Sequence, residues 1–359
     1  MGQGSSMGNY GGVPPTISPA GSVPQTAGRP PARKTGLRIL AAILFILLAI
    51  SVVGNLILFF VTVGLADGGS GGGSTRVMEQ VIKSGSRDKV AILPASGTVD
   101  EQMVERVRRC IVAIREDSNI KAVVLEVDSP GGSITASDEI HHMLMDLKAK
   151  NSVELTVAMR GLAASGGYYI SMPADTIYAQ PTTITGSIGV IWPAFEVTGL
   201  LEKIGVKPEI ITSDQATFKD MASPFKKFTP EDVAYIKGLV NQAHEKFKGI
   251  VKDGRGSKLT VPLDEVTIGR VWTADDAKKM GLIDEIAYLE DACAKTAAAA
   301  GVPNATIVRL KERTGIMAAL MEGSSHMGGG KIEISPKLIY EMQTPKMEYR
   351  WVPPWSAGQ

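Results

Sequence analysis

The sequence predicts an α/β body of repeated strand and helix, preceded by one transmembrane helix. Three observations lead there. Residues 37–65 are almost continuously apolar, interrupted mainly by Arg38 and Asn55, a length that spans a bilayer with some tilt. Residues 121–127, Lys-Ala-Val-Val-Leu-Glu-Val, form a β-branched and nearly unbroken apolar run, as expected of a strand covered on both faces of a parallel sheet. Helical periodicity flanks that run on either side, which is the pattern of βαβ units.

Taken in order, residues 1–36 are rich in Gly, Ser, Pro and Gln with few large apolar residues. Such a leader buries too little surface to offset chain entropy and is expected to be disordered. Arg29, Arg33, Lys34 and Arg38 precede or open the apolar run, while Asp67 and a Gly-Ser linker follow it. Positive residues stay in the cytoplasm, so the expected arrangement is an uncleaved anchor at 37–65 with the body outside the cytoplasm, on the periplasmic side. A cleaved signal peptide is the competing reading, with Gly64 and Ala66 as small residues before a cut. A flexible linker is expected over 66–86, a catalytic domain over 87–300 and a C-terminal extension over 301–359.

Within the body, residues 89–94 read as a short strand, and Val104, Cys110, Ile111 and Ile114 mark one face of a helix ending before Asn119. After strand 121–127, Asp128-Ser-Pro-Gly-Gly-Ser133 breaks the chain; a helix over about 135–148 and a strand over 154–159 follow. Residues 176–179, 183–191 and 209–212 read as further short strands. Thr229 caps a long helix with Pro230 at its first position, running to about Lys252, and a helix over 273–280 stops at Gly281.

Composition narrows the chemistry. A net charge of +1 over 359 residues offers no footprint for nucleic acid. The two cysteines, Cys110 and Cys293, have neither metal-ligand nor redox spacing and read as buried residues. Among four histidines, His141 and His142 are adjacent, Lys248 stands where a zinc-protease pattern from His244 needs its second ligand, and His326 lies in the tail. A histidine triad is therefore poorly supported, and neither a metal nor a cofactor is expected.

The most informative stretch is residues 161–173, in which Ser165 stands among residues too small to shield it and is followed by Gly166 and Gly167. A tight turn into a buried helix exposes its hydroxyl beside backbone N–H groups. A small-residue packing turn is the bland alternative. Gly131 and Gly132, after Pro130 at a strand end, let backbone amides approach a substrate as an oxyanion hole requires; a plain strand-to-helix turn is the alternative there. A serine needs a base, and a lysine serves only when its amine is neutral, which burial among apolar groups favours. Lys219, next to Phe218, Met221 and Ala222, has such neighbours, although a lone lysine is ordinarily surface charge. Lys226 and Lys227 read as a solvated pair.

Ser-Pro-Gly-Gly at 129–132, Ala-Ser-Gly-Gly-Tyr-Tyr at 164–169, Thr-Gly-Ser-Ile-Gly-Val at 185–190 and Lys-Asp-Met-Ala-Ser-Pro at 219–224 occur in an order that resembles the signal peptide peptidase A family. Gly-Arg-Val-Trp-Thr-Ala at 269–274 and Gly-Leu-Ile-Asp at 281–284 extend the likeness, which covers about 90–295 in the short, single-domain form. The resemblance implies a ClpP/crotonase-type fold and a Ser-Lys peptidase, with Ser165 as nucleophile, Lys219 as general base and Ser187 as the hydroxyl that orients it. Gly131, Gly132 and Gly166 match the oxyanion hole. It further implies a homo-oligomer whose serine and lysine meet across subunits, and apolar peptide substrates such as remnant signal peptides and misfolded envelope proteins, cleaved after small or apolar residues. One departure touches Lys219: residues 213–218 before it are slightly longer than the family pattern and lack an expected glycine.

Two other classes share the likeness: an inactive membrane-anchored scaffold, and a crotonase-like enzyme acting on acyl-thioesters. Residues 328–331, Gly-Gly-Gly-Lys, lack the spacing of a phosphate loop. Tyr349, Trp351 and Trp355 stand among prolines, and packing on the body is the preferred reading over contact with a neighbour or a membrane.

Overall fold

The computed structural model describes residues 35–68, 77–312 and 348–350. The chain divides into two units, residues 1–70 and 71–359. In the first, helix α1 (Thr35–Gly68) contains the stretch Arg38–Phe59, 22 residues with mean hydropathy 2.8 and no buried share. Its polar interruption is satisfied internally, since Asn55 Nδ2 donates to the Ser51 carbonyl at 2.7 Å.

The second unit starts with β1 (Val77–Lys83), β2 (Ser86–Ser96), α2 (Glu101–Glu116), β3 (Ile120–Ser129), β4 (Gly131–Ser133), α3 (Ile134–Asn151), β5 (Glu154–Ala164) and α4 (Gly166–Tyr169). β6 (Thr176–Ala179), β7 (Ile184–Gly186), α5 (Thr198–Lys203), α6 (Pro230–Arg255), α7 (Leu263–Val266), β8 (Val271–Thr273) and α8 (Ala274–Lys279) follow. The chain closes with β9 (Glu285–Ile286), α9 (Leu289–Ala299), β10 (Ala305–Glu312) and β11 (Glu348–Arg350).

Among the described residues the main sheet runs β1-β10-β2-β3-β5-β6-β9, with β7 beside β5 and β8 beside β7. Pairings from β10 to β9 are parallel, and β1 joins β10 antiparallel. Period-two alternation explains the two cores. Ala91, Leu93, Val123, Leu125, Val127, Leu155 and Val157 face α2 and α3. The intervening Val90, Ile92, Ala122, Val124 and Ala158 face α9. Helix α2 buries Met103, Val104, Val107, Cys110, Ile111 and Ile114, each large side chain contributing about 1.5–3 kcal/mol of transfer energy. Its start is fixed by Asp100, whose carboxylate accepts from Met103 N at 2.9 Å.

Several expectations need revision. Residues 77–83, expected in the linker, are an edge strand, and 305–312, expected in the extension, form the strand between β1 and β2. The expected strand at 183–191 ends at Gly186, because Ser187 takes a φ of 51°. Residues 209–212 form no strand: Ile210 and Ile211 are exposed and no sheet edge reaches them. Lys226 is not a free solvated charge, since it pairs with Asp220 at 2.7 Å and Asp232 at 3.2 Å. Helix α6 begins as expected, Thr229 and Asp232 forming a reciprocal capping box. Trp351, Trp355, His326 and residues 1–34 of the expected leader lie outside the described residues, while Thr35 and Gly36 open α1.

Candidate active site

Strand β5 delivers Ser165 at its C-terminal end, where ligand sites form in parallel sheets. The residue takes φ 54° and ψ −113°, a backbone that side-chain-bearing residues rarely adopt. It is held there from both sides: Ser165 N donates to Gly186 O and Tyr169 N to Ser165 O, each at 2.8 Å. Serine at the start of a helix ordinarily turns its hydroxyl back to cap it. Ser165 does not, and its Oγ is buried without a hydrogen-bond partner. An unmade bond at a buried hydroxyl costs about 1–3 kcal/mol, so this site keeps a reactive group uncommitted.

Ser187 stands next to it. The β5–β7 register pairs Ala164 with Gly186, so the two serines leave adjacent strands at the same level, each with a positive φ. Ser187 N donates to Arg270 O at 2.7 Å.

The glycines converge on the same point. A Cβ on Gly166 would lie 3.1 Å from Gly132 N and 2.6 Å from Ser137 Oγ; one on Gly131 would lie 2.6 Å from Gly166 N. Only residues without side chains bring these amides together. Of the three expected oxyanion-hole residues, Gly131 needs correction. Its own N–H already donates to Ser129 Oγ at 3.1 Å, so it supplies space and a φ of 93° rather than a donor. The N–H groups of Gly132 and Gly166 remain the candidates.

Lys219 is not brought to Ser165. It sits exposed in a turn between α5 and α6, its N–H donating to Ala216 O at 3.0 Å, whereas Ser165 is buried without any partner for its hydroxyl. Around that turn Phe195, Leu200, Ile204, Ile211 and Val233 are exposed.

A neighbouring group was not legible from spacing. Tyr169 donates its hydroxyl to Asp138 at 2.7 Å, and Lys246 contacts the other Asp138 oxygen at 2.8 Å. Burial pushes the Asp138 carboxyl up, but the hydrogen bonds from Lys246 and Tyr169, with the Lys246 charge, leave it below the usual range. His141, edge-on to Tyr169 at 5.5 Å, is pushed down, chiefly by burial. The clue in sequence is the Tyr168-Tyr169 pair after the serine turn.

The model of peptidase family S49 matches residues 148–303, and that of the NfeD1b N-terminal domain matches 89–195. A protein of Enterococcus faecium named as a signal peptide peptidase SppA is 34% identical over 254 residues, covering 67% of this chain and 73% of the relative. The chain belongs to peptidase family S49. As an S49 member it is a serine peptidase of the SppA kind. Protease 4 of Salmonella typhi is 37% identical over 183 residues, half of this chain but 29% of that longer protein. The chloroplastic serine protease SPPA of Arabidopsis thaliana is 31% identical over 274 residues, 71% of this chain and 39% of the relative. Among solved structures, ClpP1 of Listeria monocytogenes covers 58% of this S49 chain and 95% of its own at 16% identity, TM-score 0.38. The 1510-N membrane-bound stomatin-specific protease covers 67% and 99% at 17% identity, TM-score 0.42.

Proposed function

We propose that this S49 peptidase cleaves apolar, extended peptides through a Ser-Lys dyad completed between two copies of the chain, held at a membrane by α1. The observation that carries the reading is Ser165: buried, strained and with an uncommitted hydroxyl, beside the converging amides of Gly132 and Gly166.

The chemistry follows from those positions. A neutral Lys219 amine takes the Ser165 Oγ proton as the oxygen attacks the peptide carbonyl. The oxyanion is received by Gly132 and Gly166 N–H. Collapse breaks the C–N bond, the lysine ammonium returns its proton to the leaving amine, and an acyl-serine remains. Water then attacks the ester, giving its proton to Lys219, and the lysine returns that proton to Ser165 Oγ as the acyl–oxygen bond breaks and the carboxylic acid product leaves. Ser187 orients the amine.

Lys219 reaches Ser165 from a neighbouring copy. Within one chain it is exposed in a turn bordered by exposed apolar side chains, a surface that soluble monomers rarely leave open. Docking that surface on a second copy desolvates the lysine and supplies the apolar surroundings its neutral form favours. The basic residues before Arg38 and the acidic Asp67 after the apolar stretch favour a cytoplasmic N-terminus and an extracytoplasmic body. Remnant signal peptides, released in that same membrane, are substrates of fitting chemistry.

The test uses the full chain in detergent micelles on a fluorogenic apolar peptide. Ser165→Ala and Lys219→Ala each lose activity by about a thousandfold or more. Mixing the two under subunit exchange restores activity at about a quarter of the sites if the dyad spans copies in a ring. Undiminished cleavage by either single variant would sink the dyad, and no rescue on mixing would sink its sharing.

A further inference from the structure

β8 does more than extend the sheet. It runs antiparallel to β7, with Trp272 opposite Thr185 and Val271 opposite Gly186. Together with the two residues before it, the strand touches the turn from Gly186 to Ile188 at three points. Arg270 O accepts from Ser187 N at 2.7 Å, and Gly269 N donates to Ile188 O at 2.9 Å. The third contact is made by a side chain. A Cβ on Gly186 would lie 2.6 Å from Trp272 Cδ1 and 3.3 Å from Trp272 Nε1, so the edge of the indole fills the space that a side chain at 186 would take.

That edge bears on a residue with little stiffness of its own. Gly186 takes a φ of 87°, and glycine enters and leaves such a conformation with equal ease because it has no Cβ to restrain it. A ring packed against its Cα removes the room for that movement. Two serines inherit the fixed backbone: Gly186 O accepts from Ser165 N at 2.8 Å, and Ser187 follows with a φ of 51°. The ring is itself held. The Arg270 guanidinium lies 4.9 Å from the indole centroid, a cation–π contact made by the same residue whose carbonyl holds Ser187. The indole N–H, by contrast, is buried without a hydrogen-bond partner, although a buried tryptophan ordinarily finds one. The turn therefore uses the ring for its shape and not as a donor.

We infer that Trp272 is a positioning residue of this peptidase: its indole edge, clamped by Arg270, holds Gly186 and thereby sets Ser187 at the angle from which its hydroxyl orients the lysine amine. The inference rests on the proposed role of Ser187 in the Ser-Lys reaction. No bond of that reaction is made or broken at Trp272, which acts only through the turn it supports.

A double-mutant cycle separates positioning from packing. Full-length chains in detergent micelles are assayed on the fluorogenic apolar peptide. Ser187→Ala and Trp272→Ala are each expected to lower kcat by about tenfold or more with KM near native. The double variant should lose no more than Ser187→Ala alone, because residues that act as a unit do not contribute independently. Trp272→Phe keeps a ring edge at Cδ1 and removes the unpaired N–H; it should stay within about twofold of native kcat and guards against a fold lost in the alanine variant. Losses that multiply in the double variant, or a loss in Trp272→Phe as large as in Trp272→Ala, overturn the inference and leave the Ser187 assignment standing. Native kcat in Ser187→Ala overturns both. A second readout does without catalysis: iodoacetamide labelling of a Ser187→Cys chain, in which the native thiols are buried. Adding Trp272→Ala should change the labelling rate at position 187 severalfold and adding Trp272→Phe should not. Equal rates in all three chains overturn the inference even if the Ser165 and Lys219 activity tests fail.

Discussion

The backbone N–H of Ser165 donates to the carbonyl of Gly186 at 2.8 Å, and this bond ties the end of β5 to the end of β7. It brings Ser165 and Ser187, 22 positions apart in the chain, onto neighbouring strand ends, each with a positive φ. Strain of this kind costs about 1–3 kcal/mol per residue and persists where surrounding structure over-determines it. At Ser165 the determinants are the Gly186 bond, the Tyr169 bond and full burial.

Ser165→Gly relieves both the backbone strain and the unpartnered hydroxyl. We expect stability to rise by about 1–2 kcal/mol while peptide cleavage disappears, a trade typical of active sites. Denaturant unfolding and a fluorogenic assay on the same preparation check it; a Ser165→Gly chain that cleaves at the native rate is incompatible with a nucleophilic Ser165.

Gly131→Ala places a Cβ within 2.6 Å of Gly166 N at a φ of 93°. The backbone must shift, which misplaces the two amides. The expected outcome is a loss of kcat of about a hundredfold or more, together with destabilisation of about 1–3 kcal/mol. Native kcat in a folded variant would show that these amides do not act on the substrate.

Ser152 supplies a contrast. It ends α3 with φ 49° and ψ 40°, the left-handed cap that glycine fills without penalty. Ser152→Gly should stabilise by up to about 1 kcal/mol and leave peptide cleavage unchanged. A thermal melt and a rate measurement suffice, and a lower Tm would contradict the cap assignment.

Arg255 is fully buried, bonding Gly281 O through Nε and Nη2 and Asp284 through Nη1 at 2.7 Å. Lys258 and Ile177 N also hold Asp284, at 2.9 and 2.8 Å. Burial raises the Asp284 carboxyl, but the bonds from Arg255, Lys258 and Ile177 N outweigh it and depress the folded-state value. A depressed carboxyl contributes stability that is present above the unfolded value, about 3.9, and is lost as pH falls through the folded one. Arg255→Met should cost about 3 kcal/mol at neutral pH. The gap from wild type should narrow as Asp284 protonates. Urea melts across that acid range test it, and a gap independent of pH would mean the pair does not carry the loss.

The cysteines are expected to be inert. Burial, assisted by the Glu312 charge, pushes the Cys110 thiol up to about 11; burial with Glu290 and Glu126 pushes Cys293 up to about 12. Iodoacetamide at pH 8 should label neither in the native chain and both after denaturation, by intact mass. Rapid labelling of the folded chain would contradict their burial.

Much of this was legible in the residues because the physical signals are local. The alternation in 121–127, the stripe on α2 and the Thr229-Pro230 start of α6 depend on near neighbours in sequence, and so does the turn at Ser165, although its hydroxyl, expected to be exposed, is buried. The edges were not legible. β1 is exposed along almost its whole length and owes its strand state to β10, which joins the sheet from more than 200 residues away. The Ile-Ile pair at 210–211 has strand chemistry but no partner. β11, three residues long, carries no periodicity at all.

The sequence by itself determined that a small-residue turn would present Ser165 at a strand end, that a membrane-length apolar helix would precede the body, and which glycines would surround the serine. Only the tertiary structure showed that the Gly131 N–H is already engaged, by Ser129 Oγ. It also separated Lys219 from Ser165 and set Tyr349 against Gly132. Each of these depends on contacts between segments far apart in the chain, where hydrogen-bond geometry and burial, rather than local residue preference, fix the outcome.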